Sequence, residues 1–240
     1  MSARVGLLRL HRAGLIQLPK ARNGNGNGQP LSQALSAPVS QNPVHLRADL
    51  IPGFFLQRVG TPELSSTYNG LIDQHHYLGY TPLAGSQLRY LIGWTEGWLG
   101  AISFGASAWS VAARDQYIGW GPQERKDRLH LIVNNSRFLI APWVRSSNLA
   151  SRILGLCARR LPCDFQEIYG YAPVLLETFV EEGRFDGACY RAANWRCIGQ
   201  TQGRGKKGQR HEARVARKRV WVYPLHRNFR AVLKGEQTWL

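Results

Sequence analysis

Asp115 and Glu177 are carboxylates set among apolar neighbours. Asp115 stands shortly before Tyr117-Ile118-Gly119-Trp120, and Glu177 lies inside Leu175-Leu176-Glu177-Thr178-Phe179-Val180. An ionised acid in such surroundings is costly unless it is paired. Two arrangements meet that demand. Each acid pairs with an arginine as architecture, or the two converge as hard-oxygen ligands for Mg2+ and support phosphoryl transfer on DNA, acting as catalytic metal ligands. Tyr190 adds a phenol suited to a nucleophile, a general acid or a core aromatic. Arg191 and Asn194 beside it are suited to binding phosphate. Trp195 stands just before a basic loop and is the aromatic best placed to stack on an unpaired base. His75 and His76 are adjacent, so on a strand they point to opposite faces and do not form an alternate-position metal pair.

The chain has 240 residues and a formal net charge of +16, with 31 Lys and Arg against 15 Asp and Glu. That excess excludes an acid-rich calcium binder and points to a polyanionic partner, nucleic acid before an acidic membrane surface. The charge is concentrated. Residues 1–22 hold Arg4, Arg9, Arg12, Lys20 and Arg22 and no acid. Residues 203–219 hold Arg204, Lys206, Lys207, Arg210, Arg214, Arg217, Lys218 and Arg219 against Glu212, a net charge of +7. Residues 23–202 carry 15 basic and 13 acidic residues and are nearly neutral. The two basic segments are either solvated tails or polyanion contacts on a neutral body. Gly203-Arg204-Gly205-Lys206-Lys207-Gly208 is glycine-rich and basic but lacks the spacing of a nucleotide-binding P-loop.

This length bounds the chain at one to two domains with a sizeable core. Asn-Gly repeats at 23–28 and a Gln/Ser/Pro-rich stretch to Pro43 cannot pack a core. They read as a linker, 23–43, between a basic arm, 1–22, and a main domain, 44–233. Within that domain, Leu64–His76 has helical character. Gln87–Trp94 and Trp98–Phe104 read as a hairpin bent at Thr95–Gly97. Ala106–Gln116 and a segment from Pro122 to Arg128 read as helices. Leu129–Val133 and Phe138–Ile140 read as strands either side of Asn134-Asn135. Leu149, Ile153, Leu154 and Cys157 recur at helical spacing over Asn148–Arg160. Val174–Val180 is a strand, Asp186–Asn194 a short helix, and Cys197–Thr201 with Arg219–Tyr223 a strand pair flanking the basic loop. The class is α/β, a mixed sheet with flanking helices. Cys157, Cys163, Cys189 and Cys197 form no C-x-x-C pair and no zinc-finger spacing, and read as buried reduced thiols. Residues 97–113 are uncharged for 17 residues, too few for a membrane helix. A cytoplasmic protein with no membrane partner is expected.

Four blocks in order carry a resemblance: Arg114-Asp115-Gln116-Tyr117-Ile118-Gly119-Trp120, Asn134-Asn135-Ser136-Arg137-Phe138-Leu139-Ile140, Glu177-Thr178-Phe179-Val180, and Tyr190-Arg191-Ala192-Ala193-Asn194-Trp195 followed by Gly199-x-Thr201-x-Gly203-Arg204-Gly205. Together, over about 44–230, they resemble the DruA family, named for the Druantia anti-phage system, with relatives in transposon-like elements that are often labelled transposases. The resemblance implies a DNA-binding, DNA-processing component of a defence or mobile element, working with DNA and with other proteins of that element. From charge and position, Arg145, Arg191, Trp195 and the basic residues of 204–219 are the expected nucleic-acid contacts.

A second resemblance concerns fold. A strand, then Arg145-x-x-Asn148-x-Ala150, then a long helix is similar to GNAT acyltransferases, whose loop and helix N-terminus offer backbone N–H groups to the acetyl-CoA pyrophosphate. It implies a GNAT-like sheet, with Tyr190 at the position of a general acid. Asn148 stands where that signature has glycine, so acetyl-CoA is not expected to bind well. An acetyl-CoA-dependent N-acyltransferase and a non-catalytic DNA-binding module are the alternatives.

Overall fold

The computed structural model describes residues 7, 10–18, 41–201 and 216–237. The chain divides into two units, residues 1–35 and 36–240. In the first, a helical turn is closed by the Leu15 N–H on the Leu10 carbonyl at 3.0 Å, and the His11 Nδ1 lies 3.1 Å from the Ile16 carbonyl oxygen. The rest of the basic arm and the linker to residue 40 lie outside the described residues.

The second unit is built on a seven-stranded sheet: β1 (Phe55–Arg58), β2 (Gln87–Trp94), β3 (Gly97–Ala106), β4 (Ile132–Ile140), β5 (Leu175–Glu181), β6 (Arg196–Gln200) and β7 (Lys218–Pro224). Its order is β1-β2-β3-β4-β5-β7-β6. Only β4 and β5 pair in parallel; every other pairing is antiparallel. The helices are α1 (Pro62–His75), α2 (Ala112–Ile118), α3 (Pro122–Arg128), α4 (Leu149–Tyr169), α5 (Ala188–Ala192) and α6 (Phe229–Lys234).

Side-chain alternation along the strands divides the core between the two faces. Tyr90 and Ile92 of β2 join Leu149, Ile153, Leu161 and Phe165 of α4. Leu91 between them joins Tyr68, Leu71 and Ile72 of α1. Further along, Ile132, Leu175 and Val222 meet Ile118 of α2 and Phe229, Val232 and Leu233 of α6. Both faces are therefore apolar and covered, as β5 requires with its near-continuous run of buried residues. The parallel pair joined by α4 supplies the strand–loop–helix–strand unit of the acyltransferase resemblance, and the mixed sheet with flanking helices is the expected class.

Four expectations change. Asn134-Asn135 do not interrupt β4: they pair with Gly105 and Phe104 of β3 across a bulge at Ser103/Phe104. The Asn135 Nδ2 bridges that irregularity, donating to the carbonyls of Ser103 and Arg137 at 3.0 and 3.1 Å. The helix expected from Ala106 begins only at Ala112, because residues 107–111 are drawn into a buried ion network. Helix α4 runs nine residues past Arg160 despite Pro162. A proline inside a helix costs about 3 kcal/mol, and the burial of Leu161 and Phe165 beside it offsets that cost. Finally, Cys163 and Cys197 are exposed rather than buried. No helix among the described residues is long and apolar enough to cross a membrane.

Candidate functional site

The two acids do converge, and an arginine lies between them. Arg114, from the first turn of α2, is wholly buried, as is Glu177 in β5. The guanidinium donates to Glu177 Oε2 at 3.0 Å and to Asp115 Oδ1 at 2.9 Å. Glu177 Oε1 also accepts from the Ser107 hydroxyl at 2.8 Å and the Ala108 N–H at 3.2 Å. Asp115 Oδ1 accepts from the Trp120 indole at 3.0 Å, and Oδ2 from Arg125 at 3.0 Å and the Val111 N–H at 3.3 Å. Burial pushes the Asp115 carboxyl up, but the Arg114 charge and the bonds from Trp120, Arg114 and Arg125 outweigh it and hold the group below its ordinary value.

This donor set does not fit the Mg2+ expected of Asp115 and Glu177. A hard cation needs oxygen lone pairs directed at it. Here every carboxylate oxygen is taken by an N–H or O–H donor, and a buried guanidinium occupies the ground between the acids. Asp115 and Glu177, expected as metal ligands and catalytic acids, are both placed as partners of Arg114. No cluster of three or more His, Cys, Asp and Glu suited to a metal occurs among the described residues.

A cleft lies at the end of the β4–β5 ladder. The two strands pair only over Ile132–Asn134 and Leu175–Glu177. Past that point the Thr178 hydroxyl donates to the Asn135 carbonyl at 3.0 Å, and among the described residues no strand lies between the facing edges of 136–140 and 179–181. The opening has a volume of about 810 Å3. Its floor includes Tyr190, whose hydroxyl donates to Asn135 Oδ1 at 2.7 Å. Gly187 carries α5 into place: its φ is +75°, and a Cβ there would sit 2.7 Å from the Trp221 ring. Arg137 and Lys218 bring positive charge to the walls, and Ala150 brings the first turn of α4.

At the rim, Tyr77 and Phe185 are 40% and 50% exposed. Their ring centroids are 5.4 Å apart, and the Arg184 guanidinium lies 4.6 Å over the Tyr77 ring. Sequence reasoning passed over both. The available signal was an aromatic flanked by charge in a turn, Arg184-Phe185-Asp186, and one just past a helix end, His76-Tyr77.

The remaining expected site residues divide. Tyr190 is nearly buried against Trp195 and Trp221, and burial pushes its phenol well above the ordinary value, with the Thr178 hydroxyl offsetting only part. Trp195, expected to stack on a base, is only 4% exposed, with its ring against Tyr190 and Tyr223 at 5.1 and 5.9 Å. Arg191 is exposed, 5.9 Å over the Trp221 ring. Arg145 and Arg217 are exposed. Arg219 is half-buried and pairs with Glu182 at 3.1 Å. Arg204, Lys206, Lys207, Arg210 and Arg214 lie outside the described residues.

His76 in the cleft wall gives a pH prediction. Burial, then the Arg137 charge, bring it down to about 4 from 6.5. Between those values the unfolded chain takes up a proton that the folded chain excludes. Stability is full at neutral pH and falls as pH drops through that window. His76→Gln should flatten that part of a melting-temperature curve; equal slopes in the two proteins would contradict the assignment.

The loop before α4 is partly closed by the chain itself. The Arg145 N–H donates to the Val44 carbonyl at 2.8 Å, the Val44 N–H to Trp143 at 3.0 Å, and the Ala48 N–H to Ser147 at 3.2 Å. Arg152 bonds the Ala48 carbonyl. Asn148 has a left-handed φ of 64° and caps α4 with no side-chain bond. The residue type departs from the acyltransferase signature, while the backbone holds the turn that glycine usually makes.

Residues 54–209 match a protein-family model described as Druantia protein DruA. Among solved structures the chain is similar to a spermidine N-acetyltransferase chimera from Vibrio cholerae and hSSAT, at 9% identity over 72% of this chain and 95% of that one, with a TM-score of 0.46. It is similar also to an N-acetyltransferase from Staphylococcus aureus Mu50, at 12% identity over 72% and 99%, with a TM-score of 0.44. A GNAT family acetyltransferase from Elizabethkingia anophelis with acetyl-CoA bound shares 10% identity over 72% and 98%, with a TM-score of 0.42. No curated protein sequence matches.

Proposed function

From the premise that the chain belongs to the DruA family, we propose that it serves the Druantia anti-phage system as a cytoplasmic DNA-binding protein, alongside other proteins of that system. The observation that carries this reading is the charge of 203–219, eight basic residues against one acid joining β6 to β7. The described end of that segment, Lys218, reaches the cleft wall. Counterion release from phosphates turns such a segment into affinity. No hydrolytic step is placed at Asp115 and Glu177, since Arg114 saturates both.

The test is fluorescence anisotropy of labelled DNA with the purified chain at a series of salt concentrations. Binding that weakens steeply with salt is expected. Absence of binding at low salt sinks the reading.

Acetyl-CoA-dependent acyl transfer is the second reading, favoured by the opening between β4 and β5. Against it, the Arg145 N–H is already taken by Val44, and Asn148 adds a side chain to the loop that would approach the pyrophosphate. Calorimetry with acetyl-CoA is expected to give no micromolar binding. A micromolar dissociation constant there would promote the acyltransferase, with Tyr190 the next residue to change.

A further inference from the structure

We propose that the cleft between β4 and β5 receives a single unpaired base of a DNA strand, stacked at the rim on Tyr77 and Phe185, with Lys218 and Arg137 meeting its phosphate. The inference rests on the DNA-binding reading above and deepens it by assigning a site and a form of DNA. Three observations support it.

The first is the rim. Tyr77 and Phe185 are large rings left partly exposed side by side, 40% and 50%; His76 stacks on Tyr77 at 4.9 Å and Arg184 lies 4.6 Å over it, so Phe185 is the more exposed ring of the pair. Aromatic rings with a stacked guanidinium form the platform on which unpaired bases rest, because every base offers a π-face. The second is size. About 810 Å3 falls in the ~300–1,000 Å3 range of small-ligand sites. That admits a nucleotide but no paired duplex, so a base must leave its stack to enter. The third is the lining. The strand edges of 136–140 and 179–181 face each other without an intervening strand. They present backbone donors and acceptors to a base edge, while Arg137 and Lys218 supply the charge a phosphate requires. Of the acids at the rim, Asp186 accepts from the Ala188 N–H at 2.9 Å and Glu181 pairs with Arg184 at 3.6 Å.

The test measures the affinity of the purified chain for one sequence as a single strand, as a perfect duplex and as a duplex with a central mismatch. Wild type should favour the single strand and the mismatch over the perfect duplex by about tenfold or more. The double variant Tyr77→Ala/Phe185→Ala should lose that preference and keep its duplex affinity and salt slope. Tyr77→Phe/Phe185→Tyr, which keeps both rings, should retain the preference. Arg184→Ala, which leaves the rings in place, should reduce it in smaller measure and serves if the double variant fails to fold. A wild type that binds all three DNAs alike overturns this inference and leaves the proposed function standing. So does an alanine double variant that folds and keeps the preference. A wild type that binds none of them overturns both.

Discussion

Arg114→Met is expected to lower stability by about 3–5 kcal/mol, the cost of leaving a buried charge without its partner. Arg114 and Glu177 are both fully buried, so water cannot replace the lost guanidinium. One side chain ties together α2, the loop 107–111 and β5, because it also donates to the Ser107 hydroxyl at 2.7 Å and the Ala108 carbonyl at 2.8 Å. Arg114→Lys should rescue little. A single ammonium cannot span Glu177 and Asp115 as the planar fork does. Glu177→Gln should cost less than Arg114→Met, since Arg114 keeps Asp115 and the amide oxygen still accepts from Ser107. Urea unfolding of the three variants decides this. A loss below about 1 kcal/mol for Arg114→Met would mean that the network is not a buried ion pair in solution.

That network also marks how far the sequence could be read. Two acids among apolar residues already demanded partners, and arginine pairing was one of the two arrangements open to them. The choice of partner depended on the loop 107–111. Its composition, Ser-Ala-Trp-Ser-Val, resembles the start of a helix, and Glu177, distant in sequence, together with Arg114 and Asp115 holds it in another form. Strand and helix identities came through where side-chain period decides them: the β2–β3 hairpin, β5, and the first half of α4. Pro162 hid the second half, because local propensity does not register the burial of Phe165. The burial of Trp195 was hidden for the same reason. Trp195 stands next to the basic loop in sequence, but the left-handed turn at Asn194 (φ 63°) directs the chain so that Trp195 packs on Tyr190. Tyr77 and Phe185, more than a hundred residues apart, meet only because α1 and the segment before α5 end on the same cleft. Proximity in sequence to charge was a poor substitute for exposure, which is a tertiary property.

Replacing Arg204, Lys206, Lys207, Arg210, Arg214 and Arg217 together by Gln is expected to weaken DNA binding by a factor on the order of 10^3 or more near physiological salt. Lys218 and Arg219 are left in place because they begin β7 and Arg219 pairs with Glu182. Changing them would mix lost packing with lost charge. Each phosphate contact contributes about 0.9 to the slope of log affinity against log salt on duplex DNA. If four to six of these side chains reach phosphates, the slope should shrink by about 4–5 units. The fold should hold, since all six precede β7. A solvated tail would leave the slope unchanged, and an anisotropy titration across salt separates the two outcomes directly. The variant also tests the cleft from the other side. With those phosphate contacts gone, the residual affinity should depend less on salt, through the remaining Arg137 and Lys218 of the cleft wall, and still favour an unpaired base, because stacking on Tyr77 and Phe185 carries no counterion term.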